Sequence, residues 1–258
     1  MQLPNRIVIL LTILLCGGQT PFSAPLAAKD VFIYTENYPP YNYADENGAI
    51  VGDATTLVEK VMRESGLEYR ITLVPWARAV RFTETADNAL IYSIARVPGR
   101  EKRFQWLVPL ANDEYYLFAR SGDTRTFTWP HITSGSVKVV CVFGDISCLL
   151  LRQSGIPDHS IVTSAALSRP GSMKLVEAGR VDLYTAGIIN YRTNIKEQGF
   201  HEAAFKPVFK LDVGLTLYLA GGVITKPEIT NAIRKAYERL MAKDDFQMMY
   251  VDGPAFDD

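Results

Sequence analysis

Residues 92–106 read YSIARVPGREKRFQW, and this stretch decides the fold class. A short apolar strand, Ala89 to Ser93, runs straight into a loop that carries Arg96, Arg100 and two aromatics, Phe104 and Trp106. Open α/β sheets bind their ligands outside the carboxyl ends of the strands. Arginine offers a planar fork that matches carboxylate or phosphate oxygens two at a time. A strand feeding such a loop therefore predicts an α/β sheet whose carboxyl edge holds a small anion.

Outward from this run, β-rich apolar segments alternate with helical patterns, as expected for parallel strands with crossover helices. Val31 to Tyr34 reads as a first strand. Asp53 reads as the cap of a helix with Leu57, Val58, Val61 and Met62 on one face, ended by Gly66. Further strands are expected at Tyr69 to Val74 and at Tyr115 to Arg120. The turn-rich, polar stretch Ser121 to Ser136 then separates a second strand and helix series. That series starts with Val137 to Phe143 and includes a helix from about Pro170 to Gly179, the strand Val181 to Thr185, and a helix over Ile188 to Lys196. Phe205 to Leu219 reads as another extended crossing. A last helix opens with a Thr225/Glu228 capping box around Pro227 and places Ile229, Ile233, Tyr237 and Met241 at four-residue steps.

The residues just beyond each strand collect at one edge: Glu36, Tyr38 and Tyr41; Trp76 and Arg78; Ser93, Arg96 and Arg100. In the second half, Gly144, Asp145 and Ser147 follow one strand and Thr185 ends another. Two such edges facing each other make an interlobe cleft. Asp145 and Ser147 also suit a plain capping role at a helix start, and Asp182 suits a loop-orienting one.

The N-terminus reads as an export signal, with Arg6 ahead of the apolar run Ile7 to Leu15 and small residues up to Ala28, near which cleavage is expected. Cys16 follows leucines rather than a small residue, which argues against lipidation. Removing residues 1–28 takes one of the 27 basic side chains and none of the 28 acidic ones, for a net charge near −2. Such a balance offers no footprint for nucleic acid or an anionic membrane. Cys141 and Cys148 remain; an oxidising compartment favours joining them, the alternative being two buried thiols. The histidines, His131, His159 and His201, are scattered and no zinc ligand set is complete, so neither metal nor cofactor is expected.

TENYPPYNY, VGDATTLVEKVM, PWARA, SIARVPGRE with RFQW, GRVDLYTA and the terminal helix, taken in order, resemble the extracellular solute-binding proteins of family 3, the polar amino-acid type that serve ABC importers. The resemblance implies a two-lobed periplasmic binding protein of type II, each lobe a mostly parallel sheet flanked by helices, joined by two crossing strands. Residues 29–118 and 212–258 would form lobe 1, and 119–211 lobe 2. It implies a periplasmic monomer that captures a small carboxylated, amino-acid-like ligand and hands it to a membrane permease, with no reaction. Arg100 matches the arginine that clamps a ligand carboxylate, Ser93 a hydrogen-bonding position, and Glu36 and Tyr38 the first binding loop. Arg96 is a second candidate anion ligand, and with Trp76 and Arg78 it resembles a subgroup of varied ligands. The chain departs from the pattern at Gly187, where the amino-acid binders carry the aspartate for the ligand ammonium, and at Ala95, where a hydroxyl is common. Either Glu36 or Asp145 then supplies the carboxylate, or the ligand carries no ammonium group. Two rival readings use the same scaffold: a dehydratase-like enzyme with Glu36 as general acid or base, and a soluble sensor read by a membrane kinase.

Overall fold

The computed structural model describes residues 31–143, 145–164, 169–197 and 199–250. The expected export signal and Cys16 lie outside them, as does Gly144. The chain opens with β1 (Val31–Thr35), the small hairpin β2 (Tyr43–Ala44) and β3 (Ile50–Val51), α1 (Asp53–Ser65), β4 (Tyr69–Leu73), α2 (Trp76–Thr85) and β5 (Ala89–Ala95). The long strand β6 (Phe104–Arg120) leads to α3 (Trp129–Thr133), β7 (Val139–Val142), α4 (Ile146–Gln153), β8 (Ile161–Ser164), α5 (Arg169–Glu177), β9 (Leu183–Gly187) and α6 (Ile188–Glu197). A second long strand, β10 (Phe205–Gly222), returns the chain to α7 (Pro227–Ala242).

One mixed sheet orders these strands β4-β1-β5-β10-β6-β9-β7-β8. At one end β1 runs parallel to β4 and β5, and at the other β7 runs parallel to β8 and β9. The two parallel sets are joined by the antiparallel β6–β10 pair, which runs from Phe205 opposite Arg120 to Gly222 opposite Phe104 with four shifts of register along the way. The register slips between Lys210 and Gly214, opposite Tyr116 and Glu114, where the pair passes from one half to the other. α7 comes back to pack on α1, so the C-terminal helix rejoins the first half.

Sequence and structure differ at the caps expected for the starts of α1 and α7 and along one face of α7. Asp53 does not cap α1: Gly52 is the N-cap, at φ 123°, and the helix start is closed by main-chain carbonyls, with Asp53 N donating to Pro40 O (3.1 Å) and Ala54 N to Tyr41 O (3.0 Å). A Cβ at residue 52 would run into those same carbonyls, so only glycine lets the Pro40–Tyr41 loop seat there. The Thr225/Glu228 capping box does not form either, because the Thr225 hydroxyl donates to Ala89 O (3.2 Å) and ties α7 to β5 instead. Met241 is half exposed and Leu240 takes the inner face in its place. A four-residue step overshoots a helical turn by about 40°, so an apolar row spaced that way rotates off the core after three turns.

The Gly66 stop holds, at φ 71° with its N–H on Arg63 O. Asp182 orients its loop as expected, accepting from Lys138 N (2.7 Å) and Arg125 Nη2 (2.7 Å). Burial of Ile33, Val58, Val61, Met62, Leu90 and Tyr92 welds α1 to the first parallel set, each side chain contributing about 1.5–3 kcal/mol.

Candidate functional site

Three loops of the first half converge on the cleft. Glu36 and Tyr38 follow β1, Trp76 opens α2, and Ser93 and Ala95 end β5, with Arg100 on the short 3-10 turn Pro98–Arg100 just beyond. The second half faces them with Asp145 and Ile146 at the start of α4, while Tyr115 and Leu217 come from the two crossing strands. Glu36, Tyr38, Trp76, Ser93, Arg100 and Asp145, all singled out from the sequence, thus line one cleft together.

The first loop is held by a buried polar chain. Asn42 Nδ2 donates to Thr35 Oγ1 (2.8 Å) and to Glu36 O (2.6 Å), and Asn42 Oδ1 accepts from Ser93 Oγ (2.5 Å). Thr35 Oγ1 in turn donates to Tyr92 O (3.3 Å). Ser93 sits at φ 56°, a left-handed conformation that a non-glycine residue holds only when its surroundings force it. Its bond to Asn42 is what fixes it, and this same bond locks the end of β5 to the loop that presents Glu36. Asn42 and Thr35 were not identified from the sequence; an asparagine beside two tyrosines in a proline turn gives no signal of which carbonyl it will reach. Asn42→Ala removes three bonds, two of them buried and one part-buried, and is expected to lower stability by about 2–3 kcal/mol. Urea unfolding checks this, and a loss below about 0.5 kcal/mol would contradict it.

Arg100 is half-buried, its Nη1 donating to Ala95 O (3.2 Å) and its guanidinium lying 5.5 Å from the Trp76 ring centroid. Burial pushes the guanidinium below its usual range, and the charges of Asp145 and Glu36 push it back up. Arginine remains a cation under any such shift. Two acids and one base therefore face one another in a partly dehydrated cleft, where charge pairs count for more than in water. Tyr115 lies between the halves with its hydroxyl 3.1 Å from that of Tyr38, and burial holds the Tyr115 phenol neutral.

On the far side, Asp145 is the N-cap of α4, Oδ1 accepting from Ser147 N (2.9 Å). The capping reading of Asp145 is thus present together with its place in the cleft. Ser147 is turned inward, its Oγ accepting from Val142 N (3.4 Å). The acid on the helix start offsets the pull of the α4 amides on negative charge, which leaves Arg100 as the cationic group of the cleft lining among the described residues. Cys141 and Cys148 form a disulfide, the first of the two alternatives the sequence left open, and it staples β7 to the first turn of α4 on both sides of this loop. Replacing both cysteines by alanine is expected to cost about 2–3 kcal/mol from the chain entropy of so short a loop. A urea midpoint unmoved by the double substitution would contradict a bracing role. Thr185 and Ser147 line a second hollow behind Tyr115. The two halves also touch directly, Asn190 Nδ2 of α6 donating to Pro39 O (2.9 Å).

Three sequence candidates fall elsewhere. Tyr41 is fully buried behind Tyr38, with its hydroxyl turned to the Asp113 carboxylate. Arg78 is exposed on α2, outside the cleft lining. Arg96 is drawn away by a two-pronged bond to Glu101 (2.9 and 3.1 Å) and by the rings of Trp106 and Tyr218, 5.6 and 5.7 Å from its guanidinium carbon. Arg96 does not line the cleft, so among the described residues that do, Arg100 is the one that carries a positive charge. Gly187 is closed on one side: a Cβ there would run into the carboxylate of Asp113, which lies buried on β6. Among the described residues no cluster of His, Cys, Asp or Glu is arranged to hold a metal ion, and no helix is long and apolar enough to cross a membrane.

Residues 31–251 match the bacterial extracellular solute-binding proteins, family 3. By structure the chain is similar to a histidine kinase sensor domain with similarity to periplasmic binding proteins, with a TM-score of 0.73 and 16% identity over 84% of this chain and 92% of that one. It is also similar to an ancestral arginine-binding protein bound to arginine, with a TM-score of 0.70, 16% identity, and 84% and 94% of the two chains covered. The arginine-, lysine-, histidine-binding protein ArtJ from Geobacillus stearothermophilus gives a TM-score of 0.67 and 14% identity, with 83% and 90% covered. The two-lobed α/β architecture is shared with these periplasmic binding proteins. Among curated proteins, none matches the chain.

Proposed function

We propose that this chain, which belongs to the bacterial extracellular solute-binding proteins of family 3, is a periplasmic receptor that captures a small zwitterionic, amino-acid-like solute for an ABC importer. The observation that carries this reading is the charge pattern of the cleft, one half-buried Arg100 between Glu36 and Asp145. Arg100 takes the ligand carboxylate in a paired hydrogen bond, and the two acids take the cationic end. In the family the amino-acid binders carry an aspartate at the position of Gly187; here the acid for the ammonium comes from the opposite loop and the α4 start. The residues 29–118 with 212–258, and 119–211, act as the two lobes, hinged at the register shift of β10 between Lys210 and Gly214. Ligand that touches both lobes stabilises only the closed form, so binding shifts the population toward closure.

Binding without turnover separates this reading from an enzyme that uses Glu36: the bound solute is expected to be recovered unchanged when followed by NMR, and its conversion would overturn the receptor. Delivery to an importer, rather than to a kinase, is tested in proteoliposomes. Ligand-loaded protein is expected to stimulate the ATPase of the cognate permease, and no stimulation would remove the importer.

A further inference from the structure

Behind Tyr115 and Asp145, the second half encloses a hollow that opens toward the cleft through those same two residues, which line both spaces. Its inner wall is polar but uncharged. Thr185 on β9 is about nine-tenths buried, and its hydroxyl has no hydrogen-bond partner among the described residues. Asn194 Nδ2 donates to Asn190 Oδ1 (2.7 Å), which leaves the Asn194 carbonyl oxygen as an acceptor, and the Ser147 hydroxyl, accepting from Val142 N, keeps its own proton to give.

We infer that this hollow is a subsite for the tail of the bound solute, and that it selects a neutral group that both donates and accepts hydrogen bonds, such as a carboxamide or a hydroxyl. The inference rests on the zwitterion reading of the cleft. A hydroxyl buried without a partner costs stability, and a ligand group that pairs with Thr185 recovers that cost only on binding. Charged tails are disfavoured. Among the described residues of the lining, Asp145 is the one charged side chain, and it already faces Arg100. Asp113 presses on Gly187 from behind and is turned to Tyr41, without lining the hollow. Burial keeps the phenols of Tyr115 and Tyr184 neutral. An anion seated deep in this lining would lose its water with no opposite charge among the described residues to meet, and a cation would find only Asp145, which Arg100 and the ligand's ammonium already engage.

The test is calorimetry with four probes that share one zwitterionic head: alanine, glutamine, glutamate and lysine. Wild type is expected to bind glutamine most tightly. Thr185→Val, which keeps the shape of the side chain and removes the unpaired hydroxyl, is expected to weaken glutamine at least fivefold and alanine less than twofold, without loss of thermal stability. Thr185→Ser should retain glutamine binding within about twofold. The inference is overturned if lysine, glutamate or alanine binds as tightly as glutamine, or if Thr185→Val changes glutamine and alanine alike. Probes that bind in an Arg100-dependent way but ignore Thr185 overturn the subsite and leave the zwitterion reading standing. If no probe binds wild type, the zwitterion reading falls and takes the subsite with it.

Discussion

Arg100→Ala is expected to weaken ligand binding about a hundredfold while the protein still folds. Among the described residues that line the cleft, the guanidinium is the one positive charge, and it is partly stripped of water. Removing one member of a buried, hydrogen-bonded charge pair costs about 2–5 kcal/mol, and each 1.4 kcal/mol is tenfold in affinity. Part of that loss is the ligand carboxylate left facing Glu36 and Asp145 with nothing to balance them. Stability should change by no more than about 1 kcal/mol, because within the fold Arg100 gives up one bond to Ala95 O and its approach to the Trp76 ring. Arg100→Lys should recover only part of the binding, since an ammonium is a point charge and cannot offer two parallel bonds. Calorimetry on the three proteins measures this. Equal dissociation constants for wild type and Arg100→Ala would remove Arg100 from the site.

Gly187→Asp should damage the fold rather than restore an ammonium site of the family type. Any side chain at residue 187 enters the space of the Asp113 carboxylate, which is 1% exposed and has little room to retreat. Steric crowding alone, as in Gly187→Ala, costs about 1–3 kcal/mol. A second carboxylate pressed against a buried first one raises the expected loss to about 3–5 kcal/mol. Chemical denaturation reads this directly, and a Gly187→Asp protein with the wild-type midpoint would show that Asp113 and residue 187 do not compete. The glycine is thus coupled to an acid on a crossing strand, 74 residues earlier in the chain.

That coupling shows what sequence reasoning reaches and where it stops. The parallel strands, the crossing pair and the cleft members Glu36, Tyr38, Trp76, Ser93, Arg100 and Asp145 were legible, because each depends on local signals: an apolar run, then a polar or aromatic residue at its end. The extent of β6 was not. Only its last six residues were read as strand, since the preceding ones become one through pairing with β10, a partner some hundred residues away. Choosing between Arg96 and Arg100 was likewise beyond spacing. Four residues apart on one loop they look equivalent, and Glu101 with the Trp106 and Tyr218 rings claims one and leaves the other to the cleft. Tyr41 misled for a related reason: the turn that presents Tyr38 folds its neighbour back into the core. Asn42 and Thr35 work from beneath the site, and nothing in their residue type distinguishes a buried brace from a surface turn.

The central claim, capture of a zwitterion between Arg100 and the two acids, is tested most directly by a thermal-shift screen of residues 29–258. The protein is first freed of bound solute by unfolding and refolding, then screened against amino acids, dicarboxylates, polyamines and short peptides. At about 1,000 times the dissociation constant, one-site binding adds about 4 kcal/mol, or roughly 8–16 °C for a chain of this size. The expected result is a shift of that order with amino-acid-like zwitterions, abolished by Arg100→Ala and absent with dicarboxylates and polyamines. A flat screen, or an equal shift in the Arg100→Ala protein, would contradict it.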